Sequence, residues 1–96
     1  MNKAKFGLGQ TVATKGIAEK LESDQEFAFF VAESFERYTQ CDWGDTCEDD
    51  KKLNDDALKN GDRILAVYIQ PGTDTKIWII TEWDRSVTTI LFPDEY

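Results

Sequence analysis

The hydrophobic pattern changes its period once, near Asn60-Gly61, and this constrains the fold more than any other feature of the chain. Upstream, in "SDQEFAFFVAESFERYTQ" (residues 23–40), Phe27, Phe30, Val31, Phe35 and Tyr38 recur at the spacing of one helix face. Downstream, "RILAVYIQ", "TKIWIITEW" and "SVTTILF" are short runs rich in β-branched and aromatic residues, as strands are. Helices and then strands, in blocks rather than in alternation, predict an α+β domain: a small sheet with helices covering one face.

Local signals set the expected boundaries. Ser23 and Glu26 are spaced as a capping box, and Asp24 and Glu26 suit the positive end of a helix dipole, predicting a helix over 24–40. Phe29 lies off its apolar stripe, and "DWGD" ends it with loop chemistry. A second helix is predicted over 47–60, with Thr46 as N-cap, Asp49 three residues on and Asn60-Gly61 as terminator. Its apolar residues, Cys47, Leu53, Ala57 and Leu58, make a thin stripe, so one side packs and the rest faces water.

At the other end, Thr11 to Ala13 reads as a short extra strand. Thr14 then caps a short helix carrying Ile17, Ala18 and Leu21, weakened by Gly16. Strands over 63–70, 75–82 and 87–92 are expected to form a three-stranded antiparallel meander, with "PGTD" as its first turn. "TEWDRSVTT" is its second connection, in which Asp84 or Arg85 takes the turn geometry and Arg85 pairs locally with Asp84 and Glu82. The middle strand is apolar on both sides, through Ile77/Ile79 and Trp78/Ile80, which predicts burial on two faces or one face kept for a partner.

The 96 residues, 41% of them hydrophobic, suit a single domain over 1–96 with an aromatic-rich core. "MNKAKFGLGQ" has lysines but no apolar run behind them, and no segment reaches membrane-spanning length; a cytoplasmic protein with no membrane partner is expected. In that compartment Cys41 and Cys47 are free thiols, and a bond between them would close too short a loop to staple the fold.

Nineteen acids against eleven bases leave a net charge of −8. Phosphate contacts need Lys and Arg, so direct nucleic-acid binding is disfavoured and a basic partner, or simple solubility, is favoured. The acids concentrate in "CDWGDTCEDDKKLNDD" (residues 41–56), which holds both cysteines, Trp43 and seven carboxylates.

No catalytic, cofactor or metal site is expected in this stretch. The chain has no histidine, which removes Ser-His-Asp and Cys-His constellations and most zinc sites. Cys47 at a helix N-terminus would gain thiolate character, but Asp45, Glu48, Asp49 and Asp50 oppose it, so a packed, inert Cys47 is expected. Counted from Asp42 as an EF-hand loop, the glycine falls third instead of sixth and the twelfth position is Leu53, so the ligand pattern fails.

What remains is a binding surface. On a helix, Asp49 to Asp56 span roughly 10 Å, presenting a row of anions that is either a solvated face balanced by Lys51, Lys52 and Lys59 or a mimic of nucleic-acid phosphates. Asp42, Asp45, Glu48, Asp49, Asp50, Asp55 and Asp56 are the candidate partner-binding acids, and Trp43 and Trp83 the candidate aromatic anchors.

The segments "GQTVATKGIA", "CDWGDTCEDDKKLNDDALKNGDRILAVY" and "IWIITEWDRSVTTILFPDEY" resemble small bacterial proteins carried on plasmids and conjugative elements, over nearly the whole chain after the first eight residues. The chain also resembles a family of anti-CRISPR proteins that inhibit type II, Cas9-type effectors. That resemblance implies a non-enzymatic inhibitor of an RNA-guided nuclease whose nucleic-acid channels are positively charged. It assigns no residue a role. Two alternatives stand beside it: a plasmid accessory or structural interaction protein without inhibitory activity, and a small metal- or redox-responsive module built on Cys41 and Cys47.

Overall fold

A computed structural model describes residues 3–96. Its elements run β1 (Gln10–Ala13), α1 (Lys15–Ser23), α2 (Gln25–Thr39), α3 (Glu48–Asn60), β2 (Ile64–Ile69), β3 (Lys76–Thr81), β4 (Val87–Leu91) and a 3-10 turn (Pro93–Glu95). The α+β class is as expected, but the sheet is larger than a meander. β2, β3 and β4 pair antiparallel, and β1 adds in parallel to β4, giving a four-stranded mixed sheet in the order β1-β4-β3-β2.

The register sorts the strand residues onto two faces. Ala66, Ile79 and Ile90 lie side by side, flanked by the row Ile64, Thr81, Thr88 and by Tyr68 beside Ile77. The helices cover this face: Ile17 of α1, Phe27, Val31 and Tyr38 of α2, Ala57 of α3 and Trp43 share one buried cluster with it. On the other face Leu65, Ile80 and Thr89 form one row and Val67, Trp78 and Leu91 another. Ile80 and Leu91 are buried there, and Tyr96 folds edge-on over Trp78 with ring centroids 5.6 Å apart. The middle strand is thus apolar on both sides because both sides are largely covered.

A chain of hydroxyls crosses the helix-covered face. Thr88 Oγ1 donates to the Leu8 carbonyl at 2.7 Å, so its one proton is spent and it accepts from Thr81, which in turn accepts from the Tyr38 hydroxyl at 2.7 Å. The proton direction follows from the carbonyl at the end. Burial pushes the Tyr38 phenol well above its ordinary range, so the hydroxyl stays a donor.

Helix boundaries shift where a tertiary partner competes with a local signal. α1 continues through Ser23, so Asp24 rather than Ser23 caps α2, its carboxylate accepting from the Phe27 N–H at 3.0 Å. Thr14 occupies the N-cap of α1 but does not cap it with its side chain. Glu95 of the 3-10 turn does so, accepting from the Gly16 N–H and the Thr14 hydroxyl. A Cβ on Gly16 would stand 2.7 Å from that carboxylate, which explains a glycine in the first turn of a helix. The expected N-cap of the acidic helix, Thr46, is buried against the sheet instead, and Cys47 takes the cap position.

Candidate functional site

Residues 41–56 are built around the outer edge of β2. α2 ends with Cys41 in the left-handed region (φ 64°), its N–H bonding the Tyr38 carbonyl and the Asp42 N–H bonding that of Arg37, the double bond of a Schellman turn. The Arg37 guanidinium grips the Asp42 carboxylate with two bonds of 2.8 and 3.2 Å. Together with the Gly44 N–H, that grip holds the Asp42 carboxyl below its ordinary value. The chain then doubles back at Gly44 (φ 64°), where a Cβ would lie 2.4 Å from the Tyr68 ring.

From this loop onward, side chains take the place of a neighbouring strand. The Val67 carbonyl accepts from the Asp45 N–H at 2.8 Å and the Val67 N–H donates to Thr46 Oγ1 at 2.9 Å. The Ile69 N–H donates to the Asp45 carboxylate at 2.8 Å, and Asn54 bonds both main-chain groups of Leu65. The outward groups of Leu65 and Val67 and the Ile69 N–H are thus all engaged.

This geometry divides the candidate residues. Asp42 is tied to Arg37, Asp45 to the β2 edge, and Asp55 accepts the Trp43 indole N–H at 2.9 Å. Trp43 leaves the surface altogether: it is 3% exposed and packs edge-on against Tyr38 with centroids 5.5 Å apart. Glu48, Asp49, Asp50 and Asp56 stay exposed on α3, with Glu48 near Lys51 at 3.5 Å. Trp83 is 67% exposed at the β3–β4 connection, far along the chain from α3.

The row of anions is interrupted. At 100° per residue Asp49, Lys52, Asp56 and Lys59 share the outward face of α3, so only the first turn, Glu48-Asp49-Asp50, is uniformly acidic. That turn also sits where the helix dipole favours negative charge, a structural reason for its composition.

Three further expectations are corrected. Cys47 is exposed rather than packed, and Leu53 is 62% exposed, because the face of α3 that meets β2 is centred on Asn54 and Ala57. Arg85, one of the two residues expected to take the turn geometry, holds the left-handed position (φ 60°), but it does not pair locally as expected. Its guanidinium turns away from Asp84 and Glu82 carboxylates to donate to the carbonyls of Ala57, Asp62 and Glu82, closing the C-terminal end of α3.

Beside the acidic turn lies a cleft of about 270 Å³ lined by Asp50, Leu53, Asn54, Arg63 and Leu65. It offers one anion, one cation and two leucines, the Asn54 amide being already bonded to the Leu65 main chain. Leu53 and Arg63 were not singled out as binding residues from the sequence. Leu53 was hidden because it fits an apolar stripe, and Arg63 because it precedes a strand without any motif. Among the described residues no group of three His, Cys, Asp or Glu side chains could hold a metal ion, and no helix is long and apolar enough to cross a membrane. Burial pushes the Cys41 thiol above its ordinary value, which disfavours the reactive thiolate.

Comparison with protein families, with curated proteins and with solved structures finds no match.

Proposed function

We propose that this is a non-enzymatic, cytoplasmic binding protein of a mobile genetic element, and that the first turn of α3 occupies a basic, nucleic-acid-binding groove on a nucleic-acid-handling protein. A Cas9-type nuclease is the most concrete target. The observation that supports it is the exposure of Glu48, Asp49 and Asp50 together, next to an apolar Leu53 at the mouth of a cleft. The net charge of −8 steers such a protein toward a cationic partner, while an apolar contact beside the charges supplies the short-range attraction. Docking rests on Glu48, Asp49, Asp50 and Leu53, with Asp56 peripheral and Asp42, Asp45 and Asp55 acting through the fold.

The experiment adds purified protein to a guide-loaded Cas9-type nuclease and follows target cleavage across a dilution series and two salt concentrations. Dose-dependent protection that fades as salt rises, and is lost in a Glu48→Gln/Asp49→Asn/Asp50→Asn variant of wild-type stability, is the expected result. Undiminished cleavage at large molar excess excludes this target. A pull-down from plasmid-bearing cells at low and high salt then asks whether any other basic protein is retained by the same three acids.

A further inference from the structure

The two edges of the sheet are finished differently. The outer edge of β2 is engaged by Asp45, Thr46 and Asn54, whereas β1 has no such cover. Hydrogen bonds from the Gln10 N–H to the Ser86 carbonyl and from the Thr14 N–H to the Ile90 carbonyl turn these residues toward β4. Strand alternation then points the N–H and C=O of Thr11 and Ala13 outward. Neither main chain has a hydrogen-bond partner outside the β1–β4 ladder among the described residues, and both residues are exposed. α1 leaves the edge open because it folds back onto α2 and β4.

Exposed edges are ordinarily blunted by a charged side chain, a proline or a bulge. The segment "FGLGQTVAT", residues 6–14, has neither a charge nor a proline, in a chain of net charge −8. Nothing in it would select a foreign strand by charge.

We infer that β1 is a self-pairing edge onto which a second copy of this chain docks antiparallel, about a two-fold axis through Val12. In this register Thr11 of each copy faces Ala13 of the other as a hydrogen-bonded pair, so all four outward N–H groups find a carbonyl. Val12 meets Val12 at the axis, where side chains approach most closely. Symmetric registers centred elsewhere leave an outward group unmatched. Val12 pairs with Thr89 in the row that continues through Ile80 to Leu65, so that row runs unbroken across the axis. Lys15 falls opposite Gly9 rather than opposite another cation. Since α3 packs on β2, the far edge, both acidic helices remain free in the pair.

This pairing goes beyond the proposed docking of α3 and has the opposite salt dependence. Two copies of like charge repel, so salt strengthens their association while it weakens docking to a basic partner. Sedimentation equilibrium from micromolar to millimolar concentration, at low and high salt, is the test. Mass is expected to climb from 11.0 kDa toward twice that value, at lower concentration when salt is high. Ala13→Pro removes an N–H that the monomer does not use, and Val12→Lys places two cations at the axis; each is expected to stay monomeric with an unchanged circular dichroism spectrum. Amide exchange of wild-type Thr11 and Ala13, slowing as concentration rises, reads the same contact without a variant. A wild-type protein that stays monomeric at millimolar concentration, or self-associates with Thr11 and Ala13 amides exchanging at a concentration-independent rate, overturns the inference.

Discussion

The Asn54 side chain bonds the main-chain N–H and C=O of Leu65 at 3.2 and 2.8 Å, doing for that residue what a fifth strand would do. Asn54 is 4% exposed, so the two groups it serves have little access to water. Asn54→Ala is expected to destabilise the fold by about 2–3 kcal/mol, from two lost bonds and a poorly solvated edge. Urea unfolding measures it, and a loss comparable to that of an exposed substitution would show that water replaces the amide without penalty.

The hydroxyl chain across the sheet predicts an order of effects. Tyr38→Phe removes only the donor at its end and is expected to cost about 1 kcal/mol. Thr88→Val cuts the middle, leaving the Leu8 carbonyl without its donor and the Thr81 hydroxyl proton without its acceptor, and is expected to cost about 2–3 kcal/mol. Equal losses in thermal or denaturant unfolding would mean that the chain is not directed as its geometry requires.

At Gly44 two constraints coincide: a left-handed backbone and a Tyr68 ring that a Cβ would meet at 2.4 Å. Gly44→Ala is expected to cost about 3 kcal/mol or more, combining backbone strain with a clash in a packed site. Gly61, equally left-handed but with open space around its Cβ position, is the control, and Gly61→Ala is expected to cost about 1 kcal/mol.

Acid should weaken the fold through identifiable carboxylates. Asp42 is held below its ordinary 3.8 by its bonds to Arg37, and Glu95 below its ordinary 4.5 by those to Thr14, Phe92 and Gly16. A depressed carboxylate contributes stability that is fully present above its unfolded value and is lost as pH falls through its folded one. The thermal midpoint is therefore expected to be flat near neutrality, to begin falling around these ordinary values and to continue downward below them. Because both groups are solvent-accessible the effect is modest. Glu95→Gln should shrink the acid-side slope, and an unchanged slope would locate the linkage elsewhere.

Much of the architecture was legible in the chain. Apolar periodicity and the terminating residues placed α2 and α3 within a residue or two, although the caps expected at Ser23 and Thr46 each fell one residue early, and the β-branched runs placed β2, β3 and β4. These are local decisions, governed by side-chain periodicity and backbone preference over a few residues. The parallel pairing of β1 with β4 was not legible, because four residues with one half-buried side chain carry no periodic signal and their partner lies more than seventy residues away. Nor was the capping of α1 by Glu95, a long-range contact that overrides the expected local cap at Thr14.

The candidate site divided along the same line. Sequence by itself determined that residues 41–56 form a densely acidic loop and helix, that no histidine chemistry operates there, and that the chain carries a net charge of −8; these follow from which groups are present. Only the tertiary structure decided which carboxylates are free. Asp42, Asp45 and Asp55 look identical in the chain to Asp49, Asp50 and Asp56, but a guanidinium, a strand edge and an indole N–H claim the first three. The difference is one of position: a carboxylate accepts whatever donor the fold brings within about 3 Å, and charge in a sequence carries no information about that distance.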